Sequence, residues 1–424
     1  MYFQTFINVK IKIYRGTKEI GGTCLELTAD NGKILWIDLG MPLEDKNSKI
    51  DYIQNKLDAL IISHPHQDHF GLMDRISAET PIYIGQISLN LINATRIFRR
   101  LEEQKGNFKI ITSWKPFKIE DTFIVKPYLM DHSTPEAFAF LIEADGKRIF
   151  YSGDFRATGN KSIVYERLLN NPPKDIDLLL MEGTMVERNN HLYATEISVK
   201  SAIQNIIIKQ ENTSFVISSA QNIDRLVSVF KACRIAKKKL VIDVYTAWVL
   251  DVIKYECSRI PDMTWSDIKV YNHPSQLESI KLIATKEFIE NVKKNNIGNK
   301  IFSHPADYVY FVRCPNEKLI DALRNKGKIN IIYSQWEGYL KEEYKTYCTD
   351  YLNILKNDSD IIFNTIHTSG HAIVADLMNV AKAMQPKKIV PIHTSFPEIF
   401  KKKFEKEGFE NVELWNDGVE YELK

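Results

Sequence analysis

The densest concentration of chemistry in the chain is Ser63-His64-Pro65-His66-Gln67-Asp68-His69, which places three imidazoles and a carboxylate within six positions. It follows the apolar run Ala59-Leu60-Ile61-Ile62, read as a buried strand, and precedes Phe70-Gly71-Leu72, where a helix can open. Imidazole and carboxylate donors suit zinc, manganese or iron, and lack the softness that copper(I) demands. One tetrahedral ion takes about four ligands. Four donors this close therefore admit two neighbouring ions, His64 and His66 serving one, Asp68 and His69 the other.

Other donors follow expected strands. Ile34-Leu35-Trp36-Ile37 delivers Asp38 before Leu39-Gly40, at a position to orient the metal site from behind. Residues 123–129 end at Asp131-His132-Ser133, and a hairpin turning at Asp145-Gly146 ends at Gly153-Asp154. A continuous apolar strand, 177–181, delivers Glu182-Gly183-Thr184. Strand 360–364 precedes Thr365-Ile366-His367-Thr368-Ser369-Gly370-His371, and strand 388–392 delivers His393. In a layered fold such strand ends converge on one rim. Only His191, His273 and His304 escape this pattern, and they read as ordinary surface or core histidines.

Between these donors the texture changes. Residues 190–345 alternate helices (195–209, 223–236) with strands (214–218, 240–244, 328–333), which implies a mainly parallel α/β unit. Residues 246–300 read as helical pieces in a surface excursion, and the last hairpin, 412–414 with 419–423, is expected to cover a sheet edge. A chain of 424 residues allows two domains or one interrupted domain. The 56 basic and 54 acidic residues nearly cancel, so no strongly basic nucleic-acid footprint exists at whole-chain level. Local lysine runs at 237–239 and 401–403 read as solvated faces. Cys24, Cys233, Cys257, Cys314 and Cys348 fit neither a zinc finger nor a compact disulfide scaffold. Reduced thiols, the absence of a signal-peptide pattern and no apolar run near 18 residues lead to the expectation of a cytoplasmic protein with no membrane association.

This ordered set resembles the metallo-β-lactamase superfamily and, within it, the β-CASP nucleases close to ribonuclease J. The residues that carry the resemblance are Asp38; His64, His66, Asp68 and His69; His132; Asp154; Glu182; Ser369-Gly370-His371; and His393, with Asn222-Ile223-Asp224-Arg225 and Ser334-Gln335-Trp336-Glu337 in support. It implies an α/β fold: a metallo-β-lactamase αββα sandwich (1–188 and 349–424) interrupted by a parallel-sheet β-CASP domain (189–348). It also implies two divalent ions, zinc first and manganese next, held by His64, His66 and His132 on one side and Asp68, His69 and His393 on the other, with Asp154 bridging. Asp68, Glu182 and His371 take catalytic roles, Glu182 fixing the His371 tautomer. Ser334, Trp336, His367 and Ser369 are expected on the substrate side, Trp336 either as a base-stacking surface or as an aromatic packed in the interdomain core.

Two departures stand out: Trp336 occupies the place of a glycine, and Asp224 a position where histidine is common. The expected activity is hydrolysis of single-stranded RNA, by internal or end-dependent cutting, with a homodimer as an admissible assembly. Alternatives on the same motifs are a DNA nuclease and a non-catalytic RNA-binding or assembly subunit with a structural metal site. A small-molecule thioesterase or lactonase ranks below these, having no need of the β-CASP insertion.

Overall fold

A computed structural model describes residues 8–43, 57–188 and 192–423. His191 and the expected unit boundary at 189 fall outside these residues.

Two sheets form a sandwich. The first, in spatial order, comprises Glu420–Leu423, Val9–Arg15, Cys24–Thr28, Ile34–Ile37, Ala59–Ile61, Pro81–Gly85 and Asn107–Ile111. The second comprises Lys388–Ile392, Leu178–Glu182, Lys147–Tyr151, Phe138–Ala144, Phe123–Leu129 and Phe117–Ile119. Apolar side chains from the inner faces interdigitate, among them Ile11, Leu25, Ile37 and Ile61 against Phe140, Ile149, Leu180 and Ile392. The outer face of the second sheet is apolar too, because the helices Ser162–Asn170, Val374–Met384 and Pro397–Lys406 cover Phe150, Leu179 and Met181. Strands buried on both faces need continuous apolar runs, which is why Leu-Leu-Leu-Met precedes Glu182.

The third sheet is wholly parallel, in the order Ile268–Tyr271, Lys239–Asp243, Tyr308–Val312, Ser214–Ile217, Ile329–Tyr333, Ile361–Thr365, with apolar clusters on both faces. Together with the sandwich it makes the interrupted α/β architecture.

Some boundaries differ from expectation. Ile361–Thr365 pairs with Ile329–Tyr333 as the edge of the parallel sheet, so the inserted unit runs past 348. The stretch 246–300 is more regular than its sequence suggests: the helix Val244–Ile253 packs into the core, and Ile268–Tyr271 is an edge strand. The last hairpin does not form. Glu420–Leu423 pairs instead with the first strand, and Val412 makes only an isolated bridge to Ile389. The Asp145-Gly146 turn forms as read, with both residues at positive φ (48° and 74°) as a tight two-residue turn between right-twisted strands requires.

Lys147–Tyr151, Leu178–Glu182 and Lys388–Ile392 are mutually parallel, so their carboxyl ends share one rim. In the other sheet Ala59–Ile61 runs parallel to Ile34–Ile37, which delivers Asp38. Gly153 permits the turn into Asp154: its φ is 54°, and a Cβ there would stand 2.4 Å from the Phe138 carbonyl oxygen.

Candidate metal centre

Asp38 is the buried base of the site. Its Oδ1 accepts from the Ser63 amide at 2.7 Å, and its Oδ2 from Ser63 Oγ at 2.7 Å and Tyr151 OH at 2.5 Å. His69 Nδ1 lies 2.7 Å from the same Oδ2. A carboxylate in that position holds the proton on Nδ1 and turns Nε2 to face the cluster. The loop after Asp38 closes tightly on the histidine turn: a Cβ on Gly40 would overlap the Asp68 carbonyl oxygen at 1.7 Å.

Three histidines converge on one side. His66 Nδ1 stands 3.0 Å from His64 Nε2 and 3.2 Å from His132 Nε2. His132 Nδ1 donates to the Gly370 carbonyl at 2.7 Å, which fixes its tautomer in the same sense. Burial, reinforced by the neighbouring rings, holds the His64 and His132 imidazoles well below their usual range, so both are neutral and their lone pairs are available.

Carboxylates and histidines meet on the other side. His69 Nε2 lies 3.2 Å from Asp154 Oδ2, His393 Nε2 3.2 Å from Asp68 Oδ2, and His393 Nδ1 3.5 Å from Asp154 Oδ1. Asp154 also reaches His64 Nε2, at 3.6 Å, and so stands between the two groups. Burial opposes the charged forms here, but histidines keep the Asp154 carboxyl well below the usual carboxylate range. Against the same opposition, Asp154, Asp38 and Asp68 push His69 up.

A third pairing adjoins these. His371 Nδ1 is 3.0 Å from Glu182 Oε2, while Glu182 Oε1 accepts from the Phe155 amide at 2.9 Å. Burial lowers the His371 imidazole, but Glu182 and then Asp154 outweigh it and raise its pKa to about 9.

Among the described residues, donor atoms gather within 4.8 Å of one another in three sets: His64, His66 and His132; Asp68, His69, Asp154 and His393; and Asp154, Glu182, His371 and His393. The first two are candidate metal-ligand clusters. The fit to cations can be judged from the atoms themselves. His69 Nε2 and Asp154 Oδ1 are buried without a hydrogen-bond partner, and both belong to the same ligand set. Buried polar atoms are otherwise almost always satisfied. The neutral imidazoles of His64 and His132 beside the ionised Asp154 carboxylate offer lone pairs of the kind a divalent ion requires.

The residues expected on the substrate side fare unevenly. Ser369 is buried beside His371, its Oγ accepting from the His371 amide at 3.1 Å. His367 is half-buried and carries an unpartnered Nδ1; burial and then Arg225 push its pKa down to about 3, so it is neutral. Ser334 is fully buried, donating to the Ile366 carbonyl at 2.6 Å and accepting from Arg225, so it faces the interior and not a ligand. Trp336 is half-buried with its ring enclosed. Gly338 presses on it so closely that a Cβ there would lie 2.3 Å from ring carbons, the Arg188 guanidinium lies over it at 4.8 Å, and Tyr339 and Tyr344 meet it edge-on. Those contacts use the ring for packing against its own chain.

Sequence reasoning missed the charged groups behind the site. Asp224, at the position where histidine is common, is buried and bonded to Arg156. Arg156, Arg225, Glu196 and Asp131 are buried with it. The available signals were the Asn222-Ile223-Asp224-Arg225 motif and the placement of Arg156 two residues beyond Asp154.

Comparison with known proteins agrees with this geometry. A family model described as a beta-lactamase superfamily domain matches residues 41–210, and one described as a Zn-dependent metallo-hydrolase RNA specificity domain matches 361–414. Ribonuclease J from Helicobacter pylori (strain ATCC 700392 / 26695) is 22% identical across 93% of this chain, which spans only 57% of that relative's length. Ribonuclease J from Mycoplasma genitalium is 22% identical, with 91% of this chain and 68% of the relative covered. A crystal structure of a protein of unknown function from Enterococcus faecalis V583 shares the fold, with a TM-score of 0.75 at 19% identity over 98% of this chain and 100% of that one. Among the described residues no helix is long and apolar enough to cross a membrane. By its two domain matches, its ligand clusters and its sandwich interrupted by a parallel α/β unit, the chain carries a metallo-β-lactamase superfamily domain, in an arrangement similar to that of the β-CASP, ribonuclease J-like proteins.

Proposed function

We propose that this protein is a metal-dependent phosphodiesterase acting on single-stranded RNA. The observation that carries the reading is the pair of donor sets placed side by side, with Asp154 within reach of both and the His371–Glu182 pair next to them. The name of the matched RNA specificity domain supports the choice of substrate, because its span, 361–414, contains His367, His371 and His393.

His64, His66 and His132 are the residues to hold one ion; Asp68, His69 and His393 the other, with Asp154 between them. The nitrogen-rich first set favours zinc, and the mixed second set accepts zinc or manganese. Such a pair of ions, when bound, supplies Lewis-acid chemistry to a phosphodiester and its attacking water. The protein's own contribution is orientation and a proton. Asp38 keeps His69 Nε2 turned inward, and the Gly370 carbonyl does the same for His132 Nε2. His371, protonated near neutral pH and held by Glu182 through Nδ1, retains an Nε2 proton for the departing oxygen.

The test incubates metal-loaded protein with matched linear and circular RNA and DNA. The expected result is RNA cleavage that a chelator abolishes; circles, having no ends, separate internal from end-dependent cutting. Equal cleavage of DNA would shift the substrate assignment. No cleavage of any substrate with zinc or manganese present would overturn the reading.

A further inference from the structure

His371 reaches the site on the loop Thr368-Ser369-Gly370, and three successive carbonyls of that loop are held from outside. Thr368 O accepts from Arg225 Nη2 at 3.3 Å, Ser369 O from Arg156 Nη1 at 2.9 Å, and Gly370 O from His132 Nδ1 at 2.7 Å. Arg156 belongs to the sandwich, two residues beyond Asp154. Arg225 lies in the helix Ile223–Ile235 of the inserted unit. One carboxylate joins them: Glu196, the first residue of the helix Glu196–Ile208, takes Arg225 Nη2 at 2.7 Å and Arg156 Nη1 at 3.3 Å. Asp224 takes Arg156 Nη2, and Arg225 Nη1 also donates to the Ser334 carbonyl at 2.8 Å.

Neither guanidinium is exposed by more than 1%, so neither can touch a substrate. Their role must be exerted through what they hold. A peptide carbonyl bound by a charged donor cannot turn freely, and three in succession determine the backbone path into His371. We infer that Arg156, Arg225 and Glu196 form a clamp that sets the position of His371 against Asp154 and makes it depend on the docking of the inserted unit. All three are positioning residues. The planar guanidinium is essential to this, since it serves a carboxylate and a carbonyl at once, where an ammonium offers a single point of attachment.

The effect on rate rests on the proposed role of His371; the placement of its ring does not. Arg225→Lys keeps the charge and loses the fork. It should lower kcat on RNA about ten- to a hundredfold, as a small misplacement of a reacting group does, with KM and metal content nearly unchanged. In a His371→Ala background the same substitution should cause no further loss. An equal loss in both backgrounds would overturn the clamp, because the arginine would then be acting on the fold or the ions. Independently of catalysis, ring-15N histidine spectra should show the His371 signals, identified by their disappearance in His371→Ala, displaced in Arg225→Lys; unmoved signals would overturn it. Arg156→Lys and the isosteric Glu196→Gln make the same predictions and stand in should Arg225→Lys fail to fold. A wild type that cleaves no RNA defeats the functional reading alone, since the ring signals still decide the clamp.

Discussion

Two buried charged clusters lie back to back in this protein, and the chain passes from one to the other at Asp131-His132 and again between Asp154 and Arg156. In the first, histidines and carboxylates crowd together with no arginine or lysine in the donor sets, and burial and the neighbouring rings hold His64 and His132 neutral. In the second, the carboxylates of Asp131, Glu196 and Asp224 face Arg156, Arg225 and Lys161, three charges against three. Burial raises the Glu196 carboxyl, yet Arg225 and Arg156 overcome it and hold its pKa at about 2. The difference separates two uses of buried charge. A set of donors that cannot satisfy itself is shaped for a cation from outside, whereas a set that balances internally is a joint between chain segments.

The largest expected effect breaks the first cluster. Asp154→Ala removes the carboxylate both donor sets reach, and hydrolysis should fall by at least about a thousandfold. Elemental analysis of the folded variant should show fewer than the wild type's ions. A variant that keeps two ions and full activity would show that the clusters do not differ in this way. The joint should respond in the opposite sense. Glu196→Ala strands two buried guanidiniums and should cost about 3–5 kcal/mol in urea unfolding, while metal content in the surviving native protein stays intact. A loss under about 1 kcal/mol would mean the network is not a joint.

A smaller effect sharpens the contrast at a carboxylate outside both clusters. Glu136 accepts from the Ser88 amide at 3.0 Å at the start of the helix Gln86–Phe98, and burial, only partly offset by Ser88, raises its pKa to about 7. A carboxyl raised on folding binds its proton more tightly in the native state, so stability declines as pH rises from about 4.5 toward 7 and stays lower above it. Glu136→Gln should flatten that decline, raising the melting midpoint at pH 8 by about 2 °C or more and changing it little at pH 5. Identical pH profiles for wild type and variant would remove Glu136 from the titration.

The contrast also explains what the sequence made legible. Metal chemistry admits few residue types and needs them at strand ends, so the donors from His64 to His393 stood out although they span most of the chain. The joint uses ordinary charged residues, of which Glu196 looks like a solvated helix position and Arg225 stands out only through its motif; the tertiary fold buries them. Ser334 and Trp336 show a different limit. A strand end indicates a rim but not which way its side chains turn, and Ser334 turns inward to Arg225 and the Ile366 carbonyl. The strand Ile361–Thr365 was read with the sandwich because it precedes a histidine motif, yet its pairing partner lies in the inserted unit.

The span of the second donor set has a kinetic consequence. His393 meets Asp68 across 325 positions of chain, with the whole parallel unit between them. Closing so long a loop costs little more entropy than closing a shorter one, since the term grows only with the logarithm of length. Contacts this distant nevertheless slow folding, because they form only after much of the chain is already ordered. The His64–His66–His132 set lies within one continuous stretch and can assemble early, while the set completed by His393 must wait for the return of the chain. During synthesis, uptake of the second ion would therefore mark the moment at which the sandwich closes around its insertion.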